Sequence, residues 1–454
     1  MKKTIIKDCE LVNEGKVQSA NVLIIDGIIQ AIGNFPITED ALIVDAAGKY
    51  LLPGIIDGQV HFREPGLTHK ADMHSESRAA VAGGVTSFID MPNTRPNVLS
   101  LELLEEKYRL AADKSLANYG FLLGVNGENI DEVIKMDTSH LLAITDDGLY
   151  FTKKGNLLAD DPEILEKLFS NCTCLIAIHA EIEKLIEANE ELYRDKWGEN
   201  LPAWCHPEIR SEQACFEASK RAIELANKHG ARLHILHLST AAETVLFRND
   251  IPLQEKNITT EVSVHHLWFS DKDYDRLGML IKWNPAIKTQ QDKDGLLQAL
   301  NDDRIDLITT DHAPHTLEEK QQPYFQSMSG APMVQHSLNV MLEFYKEGKI
   351  TLEKIVEKMC HNPAVLYNIH KRGYIREGYY ADLVLVDLNS EWTVSKENIL
   401  YKCGWSPLEG TQFHSKVTQT WVNGNLVFDQ GNFNETYKGM ALEVESESES
   451  ESGE

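Results

Sequence analysis

The sequence predicts an α/β chain, a (β/α)8 TIM barrel joined to a small β-sandwich domain built from both termini, and three observations predict it. Through the middle of the chain short apolar segments alternate with segments of helical periodicity, the pattern of a parallel sheet covered by helices. Both ends are β-rich and punctuated by turn signals. Histidines and aspartates recur where the central strands end, at His61, Asp147, His179, His237 and Asp311, and barrel strands bring such ends to one mouth. An open doubly wound sheet would alternate too, but would leave those residues scattered.

The first fifty residues read as short alternating strands broken at Asp26-Gly27 and Gly33-Asn34. The region after about Glu377 repeats that character, and its Asn423-Gly424 is a strong hairpin signal. Residues 1–52 and 378–440 are therefore assigned to one β domain, and 53–377 to the barrel. Barrel strands are expected to end near His61, Met91, Val125, Thr145, His179, His237, His265 and Asp311, with helices including 75–82, 101–112, 211–228 and 292–300. Residues 441–454 end in a Glu-Ser repeat with too little apolar surface to order itself, so a disordered acidic tail is expected.

With 454 residues and 42% hydrophobic content, core size is not limiting. No apolar run approaches the roughly 20 residues that cross a bilayer. The start, Met1-Lys-Lys-Thr-Ile-Ile-Lys7, lacks an apolar core followed by a cleavage site, so the expectation is a cytoplasmic protein. Seven scattered cysteines give neither a disulfide framework nor paired zinc knuckles; Cys172-Thr-Cys174 is read as reduced thiols entering a strand. A net charge of −26 argues against nucleic acid or an anionic membrane. A small-molecule substrate is the expected partner, and the sequence leaves homo-oligomerisation open.

The chemistry begins at Pro53-Gly-Ile-Ile-Asp57-Gly-Gln59-Val-His61-Phe-Arg63-Glu-Pro65-Gly66, where Asp57, Gln59, His61 and Arg63 share one face of an extended strand. Imidazoles and carboxylates gathered at strand ends suit zinc. Arg63 offers a planar fork of donors that suits a carboxylate better than a point charge. His234 and His237 lie three apart and face opposite ways on a strand, so only one can line the mouth, and His234 is assigned a structural role. His140, His229 and His370 lack a strand-end context and are read as surface residues.

These motifs resemble those of the amidohydrolase superfamily, and Arg63-Glu-Pro-Gly66 is similar to the dihydroorotase branch, a likeness that runs over most of residues 1–440. The resemblance implies a metal site from His61, Asp147, His179, His237 and Asp311, with Asp147 of Ile144-Thr-Asp-Asp-Gly148 as bridge and Asp146 its nearest competitor. Asp311, in Thr309-Thr-Asp-His-Ala-Pro-His315, would be the general acid-base. Arg63, Asn93, Asn284 and His315 would bind substrate, and Ser329-Gly-Ala-Pro332 would touch its ring through backbone atoms. Hydantoinases, dihydropyrimidinases and allantoinases typically bridge with a carboxylated lysine on the fourth strand, and residues 141–148 contain none.

Gln59 departs from the family pattern, which has a histidine there. Its amide oxygen is a weak zinc ligand, so one tight zinc is expected at Asp147, His179 and His237, and a weak or empty first site. The implied activity is reversible closure of N-carbamoyl-L-aspartate to (S)-dihydroorotate in pyrimidine synthesis. An allantoinase- or hydantoinase-type cyclic amidohydrolase and a catalytically silent, dihydroorotase-like scaffold subunit are the alternatives.

Overall fold

The computed structural model describes residues 2–37, 40–149 and 158–445. Its centre is a barrel of parallel strands: Ile55–Val60, Val85–Asp90, Asn118–Phe121 continued by Leu123–Gly124, Ile144–Thr145, Ile176–Ile178, Leu233–Ile235, Ile258–Ser263 and Leu307–Thr309. The last strand returns to the first through a bridge between Val60 and His312, where His61 N donates to His312 O at 2.8 Å. The seventh strand stops at Ser263, and His265 lies in the short helix Val264–Trp268, slightly beyond the expected end.

The helices begin where the sequence supplies caps. Ser100 caps Leu101–Lys114, Ser211 caps Glu212–His229, and Thr289 forms a capping box with Asp292 at the head of Gln290–Asn301. Gly230, in the left-handed conformation, ends Glu212–His229. Among the described residues no helix is long and apolar enough to cross a membrane.

The two chain ends meet in a nine-stranded sheet. Leu383–Asp387 from the C-terminal half pairs antiparallel with Tyr50–Pro53 from the N-terminal half. Alternation along these strands explains why both read as continuous apolar runs: Leu51, Leu383 and Leu385 enter the sheet's own core, while Leu52, Val384 and Val386 pack in the barrel's core cluster. Asp26-Gly27 and Asn423-Gly424 both turn with φ > 0 at each residue, the geometry tight hairpins need.

The tail differs from expectation. Residues 441–445 are held against the barrel: Leu442 N donates to Tyr119 O, His370 N to Glu443 O, and Glu445 N to Asn368 O. Leu442 and Val444 pack beside Ile89, Leu142 and Leu175, and this apolar pair is the physical reason the attachment extends past residue 440. Residues 446–454, the rest of the expected disordered tail, lie outside the described residues.

A buried ion pair ties the first two barrel strands to a covering helix. Asp90 accepts from Phe62 N at 2.7 Å and meets Lys107 Nζ at 2.5 Å, with both side chains essentially inaccessible. Lys107 also donates to Met91 O at 2.8 Å. Lys107→Met should leave a buried carboxylate without its countercharge and lower stability by about 3–5 kcal/mol. Urea unfolding measures this, and a loss below about 1 kcal/mol would assign the pair the weight of a surface contact.

Candidate metal and substrate site

Asp147, just past the fourth strand, stands at the centre of the mouth. Its Oδ1 lies 3.8 Å from both His179 Nδ1 and His237 Nε2, and those nitrogens are 3.1 Å apart. The other oxygen, Oδ2, accepts from Gln59 Nε2 at 3.1 Å and lies 3.4 Å from His61 Nε2. His61 Nε2 also meets Asp311 Oδ1 at 3.1 Å, while its Nδ1 donates to Asn93 Oδ1 at 2.7 Å. Thus Gln59, His61, Asp147, His179, His237 and Asp311 converge, all of them buried. His237 and Asp311 leave their strands with φ of 34° and 45°, left-handed conformations that cost on the order of 1–3 kcal/mol each in a non-glycine residue.

The donor set fits a metal ion. Ligand atoms of a tetrahedral zinc stand about 3.3 Å apart, given bonds of about 2.0–2.1 Å. The Asp147, His179 and His237 atoms bracket that spacing and lie within 4.8 Å of one another. Glu181 Oε2 accepts from His179 Nε2 at 2.7 Å, which leaves Nδ1, on the side of Asp147, as the nitrogen that would bind a metal. Glu181 in turn pairs with Arg210. Burial alone would raise the Asp147 carboxyl, but contacts with His179 and His237 and charge from His61 outweigh it and hold the group well below the usual range. Burial opposes protonation of His179 as well, yet Asp147 and Glu181 raise it to about 9. These electrostatics describe a site that stabilises positive charge, of the kind a bound cation would supply.

Beside this cluster Arg63 and Asn93 line two adjoining cavities. One, of about 20 Å³, also touches His61, Asp147, Asn284 and Asp311. The other, of about 80 Å³, also touches Lys70, Arg95, Gly148 and His315. Arg63 follows the strand through a left-handed turn, φ 69°, so the simple alternation expected from Asp57 holds only to His61. Its Nε donates to Pro314 O at 3.0 Å, and it is 5% exposed, yet among the described residues it pairs with no carboxylate. Burial lowers its pKa to about 10, against the pull of more distant acids. Gly148 has φ 72°, and a Cβ there would stand 2.2 Å from Asn93 Nδ2, so glycine permits the asparagine to sit where it does.

The remaining sequence expectations divide by geometry. Asp146 is occupied by backbone, accepting from His179 N at 2.9 Å and Leu158 N at 2.8 Å, so Asp147 alone of the two aspartates faces the histidines. Asp57 points to Thr310 rather than to the cluster. His234 is buried between Thr259 and Glu261, at 2.8 and 3.0 Å. His140 is exposed, while His229 and His370 are half-buried and far from this cluster's contacts. Both nitrogens of His315 have protein neighbours, Lys70 Nζ at 2.9 Å and Ser329 O at 2.9 Å.

Four residues at the site carried no assignment from sequence: Glu181, Lys70, Arg95 and Trp283. Glu181 was detectable as a carboxylate two residues beyond His179, and Lys70 as a cation in the loop after Arg63; Trp283, an indole in the cavity wall, had no comparable signal. Glu181→Gln should weaken divalent-metal binding about 10–100-fold, because the partner that orients His179 loses its charge. Competition with a chromogenic chelator measures it; unchanged affinity would separate Glu181 from metal binding.

Comparison with known proteins agrees with this architecture. Residues 50–427 match the model of the amidohydrolase family. A dihydroorotase of Methanosarcina mazei is 32% identical over 417 residues, covering 89% of this chain and 90% of its own. A dihydroorotase of Halobacterium salinarum is 33% identical over 435 residues, covering 94% and 96%. Among solved structures, the L-hydantoinase (dihydropyrimidinase) of Arthrobacter aurescens superposes with a TM-score of 0.90 at 26% identity, covering 98% of this chain and 100% of that one. A barrel mouth of histidines and aspartates, a sheet made from both ends, and relatives matched over nearly their whole length lead to one conclusion: the chain belongs to the amidohydrolase family.

Proposed function

We propose that this chain is a dihydroorotase, interconverting N-carbamoyl-L-aspartate and (S)-dihydroorotate in pyrimidine synthesis. The observation that carries this is Arg63, a buried guanidinium with no carboxylate partner among the described residues, lining both the catalytic cavity and the cation-rich cavity beside it. Burying an unpaired charge is costly, and a substrate carboxylate relieves that cost. The dihydroorotase relatives support the same reading. The near-superposition on an L-hydantoinase favours a second reading, a cyclic amidase acting on uncharged rings. Against it stand the Arg63 pocket and the absence of lysine from residues 141–148.

Arg63 and Asn93, backed by His315, bind the ring carboxylate, and Asn284, which lines the same cavity, contacts the ring. This places the ring amide against Asp147 and Asp311 and converts a bimolecular encounter into an oriented one. Asp147, His179 and His237 would hold a zinc ion, which would supply Lewis acidity to the amide carbonyl and a bound water with a pKa near about 7. Asp311 takes the proton of the attacking water and hands it to the departing ring nitrogen, the general acid-base role. Burial raises its pKa, against the contact with His61, which suits a carboxyl that must both accept and return a proton.

Gln59 supports a single tight zinc. Its amide hydrogen is directed at Asp147 Oδ2, on the side where a second ion would have to share that oxygen with His61 and Asp311.

Dihydroorotate turnover, assayed beside allantoin and hydantoins, tests the assignment; turnover of the uncharged rings alone would replace it with the second reading. Asp311→Asn should lower kcat at least about 10²-fold with an unchanged thermal midpoint. Wild-type kcat in that variant would remove Asp311 from the mechanism. Extensive dialysis should leave one equivalent of zinc, and retention of two would overturn the role given to Gln59.

A further inference from the structure

We propose that Lys70 is a positioning residue of the carboxylate pocket: it sets the tautomer of His315 and so keeps the donors of Arg63 turned toward the bound anion. The proposal rests on the dihydroorotase reading for the identity of that anion, and on the geometry alone for the tautomer.

The loop after the first strand folds back, with Leu67 N donating to Arg63 O and Lys70 N to Leu67 O, each at 3.0 Å. This brings Lys70, 5% exposed, next to Arg63 in the wall of the 80 Å³ cavity. Its Nζ lies 2.9 Å from His315 Nδ1 and 3.0 Å from Glu319 Oε1. An ammonium group only donates, so Nδ1 must accept and the ring proton must sit on Nε2. The other side of the ring agrees: Nε2 lies 2.9 Å from Ser329 O, which only accepts.

Arg63 Nη2 stands 3.1 Å from the same Nε2. A guanidinium has no acceptor, so with the proton on Nε2 this pair cannot form a hydrogen bond. The Nη2 donors are left for a ligand. Were the proton on Nδ1, Nε2 would accept from Arg63 Nη2 across the 3.1 Å already separating them and occupy one arm of the fork. Nδ1–H could then turn to Glu319 Oε2, 3.7 Å away, so the competing tautomer has an acceptor waiting. Lys70 selects between the two arrangements. Glu319 balances the Lys70 charge and leaves that of Arg63 for the substrate.

Two measurements test this. In ¹⁵N-histidine spectra, with the His315 signals assigned from a His315→Gln sample, wild-type His315 should carry its proton on Nε2; a proton on Nδ1 overturns the proposal. Lys70→Met should raise KM for dihydroorotate about tenfold or more while kcat stays within about threefold, and Lys70→Arg, which restores a donor, should recover most of the loss. Zinc content should be unchanged in both variants. Wild-type KM in Lys70→Met overturns the proposal. If the wild-type protein does not turn over dihydroorotate, the functional reading fails, and the ¹⁵N spectrum still decides the role of Lys70.

Discussion

Everything at the mouth depends on the clasp between the first and eighth barrel strands, and Asp57 is its centre. This buried carboxylate accepts from Thr310 Oγ1 at 2.5 Å and from Thr310 N at 3.1 Å. Burial pushes its pKa to about 7 despite those donors. A barrel is closed only if its first and last strands pair, and here the register of that pairing places His61 against Asp311. Asp57 therefore acts by positioning: it shares a strand face with Gln59 and His61 but meets the neighbouring strand one layer below the site.

Within the closed mouth the two oxygens of Asp147 face different company. Oδ1 looks toward two histidine nitrogens that would bind a cation, and Oδ2 toward an amide donor and His61. A histidine at position 59 would present a lone pair to a cation on that side, whereas the glutamine presents a hydrogen to the carboxylate. Among the described residues the Gln59 Oε1 atom is buried with no protein donor, while the Nε2 side of the amide bonds Asp147. The asymmetry of the site thus comes from one side chain, while Asp147, His179 and His237 keep a complete donor set.

Much of this was legible in the sequence because it followed from periodicity and from turn chemistry. Strand ends at His61, His179 and Asp311 fall where apolar runs stop, and Asp26-Gly27 and Asn423-Gly424 turn as their residue types require. Asp146 and Asp147 could not be separated, because adjacent residues at a strand end need the backbone path to show which one turns inward. Arg63 was recognised for its chemistry but reaches its place through a left-handed turn that strand alternation does not encode. Lys70 and Glu181 lie near Arg63 and His179 in sequence, but what they do there is set by distances to other side chains, 2.9 Å to His315 and 2.7 Å to His179. The attachment of residues 441–445 was missed because two apolar residues ahead of a Glu-Ser run carry little weight in a composition reading.

The charge arrangement explains how such a mouth would discriminate among cyclic amides. The chain carries a net charge of −26, yet Arg63, Lys70 and Arg95 line one small cavity beside the catalytic cluster. A ring bearing a carboxylate would satisfy the buried guanidinium and repay its desolvation. An uncharged ring of the same size enters the same space and leaves Arg63 buried and unpaired. Discrimination then comes less from added attraction than from the penalty imposed on the wrong ligand, and sites built to pair a polar group reject analogues that lack it far more strongly than apolar pockets reject a missing methylene. A fold that hydantoinases share would thus acquire a preference for a carboxylated ring through a few cations beyond the ends of the first two barrel strands.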